Sequence, residues 1–290
     1  MLPGMAAKPR VAIVGAGNFG TALALALQRA RYTIDAVIVR SGGESLKKAQ
    51  KLAKQVGARA LTDLSLSRAE LIWFCMPDAE IAWAARSLAG TVDWKGRVVL
   101  HSSGALTSDA LAVLRSRGAT VASVHPLMTF VRGSRPSLAG VPFVLEGDAA
   151  AVRVGRRVVR DVGGIAYPIR KKDKGAYHAW GTFASPLFTA LLATTEQVAA
   201  LAGVNRKVAK QRMIPILVQT LVNYASFDAG DAFSGPIVRG DVDTVRQHLR
   251  VLRTLRAARE VYSALARAAL RYLPAKNKSA LKKLLESESR

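Results

Sequence analysis

The stretch that decides the fold runs from Val11 to Leu27 and reads VAIVGAGNFGTALALAL. An apolar β-branched run, a Gly-x-Gly-x-x-Gly turn and an alanine- and leucine-rich segment predict the first strand, turn and helix of a dinucleotide-binding fold. Gly15 would permit the tight turn, Gly17 would let a pyrophosphate approach the backbone, and Gly20 would let the helix pack on the strand. Unpaired N–H groups at the start of the helix would attract phosphate. The residues predicted to bind the phosphates are Gly15, Gly17, Asn18, Phe19 and Gly20.

The residues after the second strand predict which dinucleotide the fold would take. Asp35–Val39 reads as this strand, and NAD-binding domains place Asp or Glu about 20 residues past the last glycine, on the ribose 2′-hydroxyl. This chain has Arg40 and Ser41 there, a guanidinium and a hydroxyl that suit a 2′-phosphate. Lys47 and Lys48, on the following helix, would add positive potential. The pattern predicts NADP(H), and the alternative for Arg40 is a solvated charge at a strand end.

Strands and helices alternate along the first part of the chain, and the alternation then stops. Such alternation predicts an α/β doubly wound parallel sheet, a Rossmann fold. Beyond Ile169 the chain reads as helices alone, which predicts an all-α C-terminal domain. We expect a dinucleotide-binding domain at residues 1–168 and a helical domain for substrate binding and dimerisation at residues 169–290. The later helices are predicted at Lys174–Ala184, Pro186–Ala202, Arg206–Ala225, Val242–Tyr272 and Ser279–Glu286.

Composition predicts a cytoplasmic protein with a large positive charge. The 290 residues are 50% hydrophobic, carry a net charge of +23 and include one cysteine, Cys75, which excludes a disulfide framework within the chain. No signal peptide and no membrane span are expected, because no long apolar stretch occurs. The segment from Arg246 to Arg290 has twelve Arg and Lys against three Glu. A solvated helix face accounts for this basic block, and association with nucleic acid is the alternative.

Candidate catalytic residues are expected at the carboxyl ends of the strands, where open α/β sheets bind ligands. Ser102 and Ser103 follow one predicted strand, and His125 follows another. Lys174 and His178 lie one helical turn apart on the first helix after the sheet. Reduction of a carbonyl needs one such group to polarise or protonate the oxygen. The alternatives are a solvated lysine and histidines that only pack or bind nearby backbone.

Further residues are predicted to contact the ligands. Met76 and Pro77 follow the apolar strand Leu71–Cys75 and would contact the cofactor. Arg239 and Asp241 lie in a broken segment between two helices and would meet the substrate. No group of His, Cys, Asp and Glu has the spacing of a metal site, and the Gly-x-Ser-x-Gly pattern of hydrolases is missing. We therefore expect no metal.

Four segments, in this order, resemble those of one oxidoreductase family, in which a Rossmann-like domain precedes a helical domain of unknown function, number 2520. The resemblance implies NADP(H), a helical dimerisation domain and a place in the 6-phosphogluconate-dehydrogenase-like group, beside ketopantoate and pyrroline-5-carboxylate reductases. One departure is His178, since β-hydroxyacid dehydrogenases of that group have Asn four residues after the lysine that matches Lys174. The four segments are Gly15–Gly20, His101–Leu106, His125–Phe130 and Gly235–Asp241.

The sequence as a whole predicts an NADP-dependent oxidoreductase. It would transfer hydride between NADPH and a small carbonyl or imine in a cleft between the domains. A 2-keto acid such as ketopantoate is an example of such a substrate. Lys174 would donate the proton, while Ser102, Ser103 and His125 would line the nicotinamide pocket. A protein that binds or senses NADP without turnover is the alternative from another class, and a nucleic-acid-associated protein is a third. Helices that are apolar on more than one face predict a homodimer.

Overall fold

The protein, seen in a computed structural model that describes residues 7–134 and 136–287, forms two compact units that divide after Phe183. All the described strands lie in the first unit, and the second unit is helical. The predicted fold class, an α/β sheet followed by an all-α region, is therefore confirmed. The division lies beyond residues 168 and 169, so the helix that begins at Lys174 belongs to the first unit, where Lys174 hydrogen-bonds with Ser123 of the sheet and with Ser103.

The first unit is built on an eight-stranded sheet with the order β3-β2-β1-β4-β5-β6-β7-β8. Neighbouring strands are parallel except for β6 and β7. The strand order reverses between β1 and β4, and ligands of doubly wound sheets bind at such a switch point. The strands are β1 (Val11–Val14), β2 (Ile34–Ile38), β3 (Arg59–Leu61), β4 (Leu71–Phe74), β5 (Val98–His101), β6 (Thr120–Pro126), β7 (Pro142–Gly147) and β8 (Ile165–Pro168).

Helices cover both faces of this sheet, and each face has its own apolar core. Val11 and Ile13 of β1 belong to one core, whereas Ala12 and Val14 belong to the other, as the alternation of a pleated strand requires. Since both faces are covered, β1 and β4 are apolar and buried throughout. The helices of this unit are α1 (Asn18–Arg29), α2 (Gly43–Val56), α3 (Asp78–Leu88), α4 (Ala112–Arg115), α5 (Ala149–Asp161) and α6 (Lys174–Thr182).

Strand β7 departs from the predicted parallel sheet, because it runs antiparallel to β6. The described residues between these strands form no helix, and a parallel neighbour would need a crossover connection, usually a helix. The chain instead turns back after Pro126, which pairs with Phe143 near the start of β7. This reversal places Glu146 directly opposite Ser123.

Two glycines of the first turn are required by close packing. Gly15 has a φ of +110°, and a Cβ atom there would lie 2.6 Å from the carbonyl oxygen of Cys75. A Cβ atom at Gly20 would lie 2.2 Å from the carbonyl oxygen of Gly15, so α1 approaches the turn closely only with glycine. At Gly17 a Cβ atom would come no closer than 3.9 Å to the described part of the chain, which leaves room for a ligand.

The second unit has a small core between its last three helices. The single helix predicted at Val242–Tyr272 is wrong, since Leu252–Thr254 forms a 3-10 turn and Leu255 has a φ of −122°. No Gly or Pro marks this break in the sequence. The core consists of Val245, Leu249, Ala266, Leu281, Leu284 and Leu285. The helices are α7 (Phe188–Leu201), α8 (Arg206–Ser226), α9 (Ala229–Ala232), α10 (Pro236–Arg239), α11 (Val242–Val251), α12 (Arg256–Tyr272) and α13 (Lys278–Ser287).

Helix α8 exposes apolar side chains on several faces. Ile214, Val218 and Leu221 recur at helical spacing on one face, and Ile216 lies on the opposite face; all four are exposed. Ala209 is the buried residue of this helix. In the single chain these apolar side chains stay exposed to solvent, as in a helix that packs against a second protein surface.

No single helix in the described part of the chain is long and apolar enough to cross a membrane. One bent pair of helical segments, Lys171–Leu201 and Arg206–Ser226, meets the length and composition of a span when its two parts are taken together.

The helix break that the sequence predicts before Pro186 is wrong, because Phe183–Leu187 forms a π-helical turn that contains this proline.

Candidate active site

A cavity of about 430 Å³ opens at the carboxyl ends of β1, β2 and β4. Gly15 and Gly17 of the glycine turn, predicted to bind the phosphates, are among its lining residues. Met76 and Pro77, predicted to contact the cofactor, line it as well. Further lining residues come from α2 and α3, and they include Ser45, Lys48, Glu80, Trp83, Ala84 and Leu88.

Arg40 lines this cavity, but its guanidinium already has a partner. Its Nη2 atom donates to both carboxylate oxygens of Glu80, at 3.1 Å each. Lys48 also lines the cavity, whereas Ser41 and Lys47 are exposed and lie outside the lining. Of the basic residues predicted to surround a 2′-phosphate, Arg40 and Lys48 are therefore the two that the structure brings together.

The remaining residues of the glycine turn contact the connection between β6 and β7. Asn18 donates from its amide Nδ2 to the carbonyl oxygen of Phe130, at 3.0 Å. The rings of Phe19 and Phe130 meet edge to face, with centroids 5.1 Å apart. The start of α1 is therefore in direct contact with the segment that follows His125. This contact joins the turn predicted to bind phosphate to the end of the strand that carries a predicted catalytic residue.

The loop after β5 is held by its own serines. Ser102 accepts a hydrogen bond from the Trp73 indole at 2.7 Å. Ser103 Oγ donates to Asp78 at 2.7 Å and accepts from the N–H groups of Ala105 and Leu106. Both side chains therefore have structural hydrogen bonds in addition to any contact with a ligand.

His101, at the end of β5, is buried and neutral. The N–H of Ser103 donates to its Nδ1 atom, so the ring proton lies on Nε2 and is donated to the carbonyl oxygen of Thr107. Burial, together with the nearby charge of Lys174, lowers the pKa of His101 to about 4. This ring organises the loop that carries Ser103.

Lys174, the first residue of α6, is buried with 1% of its surface exposed. Its Nζ atom donates to Ser123 Oγ at 2.6 Å and to the carbonyl oxygen of Ser103 at 3.0 Å. Burial lowers the pKa of Lys174 to about 8, and the carboxylates of Glu146 and Asp78 oppose that effect. The ammonium group is therefore held between β5 and β6 and compensated by two acidic residues.

His125 and Tyr177 bring two buried polar atoms without partners to the same place. Among the described residues, neither His125 Nδ1 nor the Tyr177 hydroxyl has a hydrogen-bond partner, and the two rings meet at right angles with centroids 5.6 Å apart. Burial is the main cause that lowers the pKa of His125 to about 3, and burial raises the pKa of Tyr177 to about 12. Both groups are thus neutral, and both can still form a hydrogen bond with a ligand.

Gly104 separates the two predicted histidines. A Cβ atom at this position would lie 2.7 Å from the His178 ring and 2.8 Å from Nε2 of His125. The two imidazole rings have centroids 6.3 Å apart. The structure therefore gathers the predicted residues Ser103, His125, Lys174 and His178 around one loop of the first unit.

The predicted substrate residues Arg239 and Asp241 lie in the second unit, where they contact each other. Arg239, the last residue of α10, donates from Nε to Asp241 at 2.9 Å. Their predicted role toward a substrate stays a prediction.

Several residues of the site escape the motifs of the sequence. Tyr177 lies inside the helix segment that suggests Lys174 and His178, but an aromatic side chain there reads equally well as packing. Glu146 and Ser123 lie opposite each other only because β7 runs antiparallel to β6. Glu80 pairs with Arg40 in the structure, but the two residues are 40 positions apart and nothing in the sequence indicates the pairing. The signal in the sequence that could point to Glu146 is its position as a polar residue at the end of an apolar strand.

Comparisons with known proteins match the two parts of the chain separately. A Rossmann-like domain model matches residues 5–126, and a model of DUF2520, a domain of unknown function, matches residues 141–269. The resemblance to the two-domain family that the sequence motifs suggest is thereby confirmed. No curated protein sequence matches the chain.

Three similar solved structures have the same fold. A protein of Bacteroides fragilis, provisionally described as an NADP oxidoreductase, is 21% identical with a TM-score of 0.75, over 90% of this chain and 97% of that chain. An imine reductase from Pseudomonas sp. is 22% identical with a TM-score of 0.64, over 96% and 100%. A reductive aminase from Aspergillus terreus, in complex with NADPH and ethyl-5-oxohexanoate, is 16% identical with a TM-score of 0.66, over 96% and 99%.

The buried neutral state of His101 predicts a loss of stability in acid. The pKa of His101 is about 4 in the folded protein and 6.5 in the reference state, so between these values the unfolded chain binds more protons. The free energy of unfolding should therefore fall as the pH drops from 6.5 toward 4, by up to about 1.4 kcal/mol per pH unit for this residue.

Urea denaturation followed by tryptophan fluorescence at pH 7, 6 and 5 measures this slope, since Trp73 and Trp94 are buried in the first unit. A His101→Asn variant keeps an acceptor for the Ser103 N–H and should show a shallower slope. Equal slopes in the two proteins would show that His101 is not the group that titrates.

Proposed function

We propose that this chain, which joins a Rossmann-like domain to a DUF2520 domain, is an NADP-dependent oxidoreductase that reduces a small carbonyl or imine substrate. The observation that carries the proposal is the cavity at the glycine turn, with Arg40 and Lys48 in its lining. Arg40 follows β2, at the position where NAD-binding domains have a carboxylate. Guanidinium and ammonium groups at that position suit the 2′-phosphate that distinguishes NADP from NAD.

The chemistry of the cavity fits the parts of NADP(H) in turn. The glycine turn leaves room at Gly17 beside the N-terminus of α1, which suits a pyrophosphate. Apolar lining residues such as Ile38 and Leu88 suit an adenine ring. The reductive aminase from Aspergillus terreus is in complex with NADPH, which supports the same cofactor here. When bound, NADPH supplies the hydride of the reaction.

His125 and Tyr177 are the groups that would hold the reducible bond. Their buried, unpartnered polar atoms need a hydrogen-bonding ligand, and a carbonyl oxygen or an imine nitrogen would provide one. Burial keeps the pKa of Tyr177 at about 12, so its hydroxyl remains a donor at neutral pH. These two neutral groups suit the polar atom of a ketone or an imine.

Lys174 would supply the proton that completes the reduction. Its pKa of about 8, lowered by burial, lies close to neutral pH, which is the condition for an efficient general acid. The hydrogen bonds to Ser103 and Ser123 fix the position of its ammonium group. His178 would then shape the site beside Gly104, where an added Cβ atom would lie 2.7 Å from its ring. Ser103 would hold the same loop through its hydrogen bonds with Asp78, Ala105 and Leu106.

Cofactor binding and turnover test the function as a whole. We expect purified protein to bind NADPH more tightly than NADH and to oxidise NADPH with at least one member of a panel of ketones, cyclic imines and 2-keto acids. Arg40→Asp should weaken NADPH binding about tenfold or more, since a charge-assisted contact with phosphate is lost, and should change NADH binding less. Arg153→Asp, on the exposed side of α5, is the matched control.

Two results would speak against this assignment in different ways. Equal affinity of the wild type and Arg40→Asp for NADPH would remove Arg40 from the phosphate site. Tight NADPH binding with no oxidation across the whole panel would favour the alternative, a protein that binds NADP without turnover.

The role of Lys174 predicts the pH dependence of reduction. The value of kcat/KM for reduction should fall as the pH rises through about 8, because the ammonium form is the acid. Lys174→Met should lower kcat about 100-fold and abolish this pH limb, while NADPH binding, measured by fluorescence titration, should remain. A Lys174→Met protein that binds NADPH and keeps the limb at pH 8 would assign the proton to another group.

A homodimer is the proposed assembly, and α8 supplies the argument. Its exposed apolar residues lie on opposite faces, for example Ile216 at 68% and Leu221 at 55% exposure in the single chain. A second copy would cover such residues, and two-fold dimers are the commonest assembly of soluble proteins. The helical domain would then serve dimerisation, as its sequence predicts.

Light scattering at micromolar concentration tests this assembly. The expected mass is twice the chain mass of 31.0 kDa. Ile216→Glu should shift the protein toward monomer, because a buried unpaired carboxylate disfavours the interface. Val131→Glu, at an exposed apolar residue of the first unit, is the control. A wild type of monomer mass would contradict the proposal.

A further inference from the structure

Glu80 places a carboxylate inside the proposed cofactor cavity. This carboxylate accepts hydrogen bonds from the Arg40 guanidinium, the group that would bind the 2′-phosphate. Arg40 follows β2, Glu80 lies in the first turn of α3, and both line the cavity. The Nη2 atom of Arg40 lies 3.1 Å from each oxygen of Glu80. The two side chains are 70% and 37% exposed, so water screens this ion pair and a ligand can open it at small cost.

This pair has opposite consequences for the two nicotinamide dinucleotides. A 2′-phosphate that approaches Arg40 brings negative charge toward the Glu80 carboxylate and competes with it for the guanidinium. A ribose 2′-hydroxyl carries no charge and can donate a hydrogen bond to a carboxylate, which is how acidic residues select NAD. The same side chain therefore opposes one ligand and suits the other.

We propose that Glu80 is a specificity-determining residue that reduces the preference of this site for NADPH over NADH. Arg40 and Lys48 attract the phosphate, while Glu80 competes for Arg40 and offers an acceptor to the ribose of NADH. The site then takes both dinucleotides, with a smaller preference than its two cations alone would produce. This inference rests on the proposed function, because it takes the cavity as the site of the phosphorylated ribose.

Two other roles for Glu80 lead to different expectations. A carboxylate in the first turn of a helix stabilises that helix through its dipole, and in this role Glu80 would leave both cofactor affinities unchanged. A carboxylate that only orients Arg40 for the phosphate would strengthen NADPH binding, so its removal would weaken that binding. Competition predicts the reverse, and the sign of the change therefore distinguishes the three roles.

The Glu80→Gln variant tests the proposal, since it removes the charge and keeps the size of the side chain. Dissociation constants for NADPH and NADH are measured separately, without substrate, by energy transfer from tryptophan to the reduced nicotinamide; Trp83 lines the cavity. We expect NADPH to bind about fivefold more tightly and NADH about twofold more weakly. Glu260→Gln, which breaks an exposed Arg256–Glu260 pair of 3.0 Å in the second unit, should change neither constant.

A double-mutant cycle with Arg40→Gln isolates the competition. In that background Glu80→Gln should tighten NADPH binding by a clearly smaller factor, because no guanidinium remains to be contested. Weaker NADPH binding in Glu80→Gln, or an unchanged ratio of the two constants, overturns the inference while the proposed function stands on the wild-type affinity. A wild type that binds neither dinucleotide overturns both.

Discussion

The buried ammonium group of Lys174 is the constraint around which the functional edge of the first unit is organised. A charge removed from water is tolerated only where oxygen atoms and opposite charges replace the water. The carbonyl oxygen of Ser103 and the hydroxyl of Ser123 accept its hydrogen bonds, and Glu146 and Asp78 supply the opposite charge. Elements far apart in the sequence therefore converge on one nitrogen atom.

The same ammonium group determines the state of its neighbours. Its charge adds to burial in lowering the pKa of His101 and of His125, so both rings stay neutral beside it. Asp78 in turn accepts from the Ser103 hydroxyl, which holds the loop after β5. One buried cation thus links the shape of a loop to the protonation of the histidines on either side of it.

The fold could be predicted from the sequence because its signals are local. The glycine turn, the apolar strands and the helices between them each occupy a short stretch, and the structure confirms the doubly wound sheet that they predict. The break at Leu252–Thr254 could not be predicted, since no Gly or Pro marks it in the sequence. The antiparallel course of β7 could not be predicted either, because Gly133, Pro136 and Gly140 in the preceding connection mark turns and do not show the direction in which the next strand runs. A short sequence pattern therefore predicts the element that it forms, but not how that element packs against distant parts of the chain.

The candidate site could be predicted only in part, for a similar reason. Residues at strand ends, such as Ser103 and His125, are found by position, because the sheet topology brings strand ends together. Glu146 and Glu80 are found only in three dimensions, since their importance comes from partners distant in the chain, Ser108 in one case and Arg40 in the other. A charge pattern along the sequence does not show which opposite charge each residue will meet.

The order of the strands also sets the distance between two parts of the candidate site. Arg40 follows β2 and His125 lies near the end of β6, and four strand-to-strand steps separate these strands in the sheet. At about 4.8 Å per step the backbone alone spaces the two strand ends about 19 Å apart. Since hydrogen-bonded ladders set this length, substitutions at either end leave it unchanged. The residue proposed to select the cofactor and the residue proposed to hold the reducible bond can therefore change independently in descendants of this chain, because each lies at its own end of a fixed span.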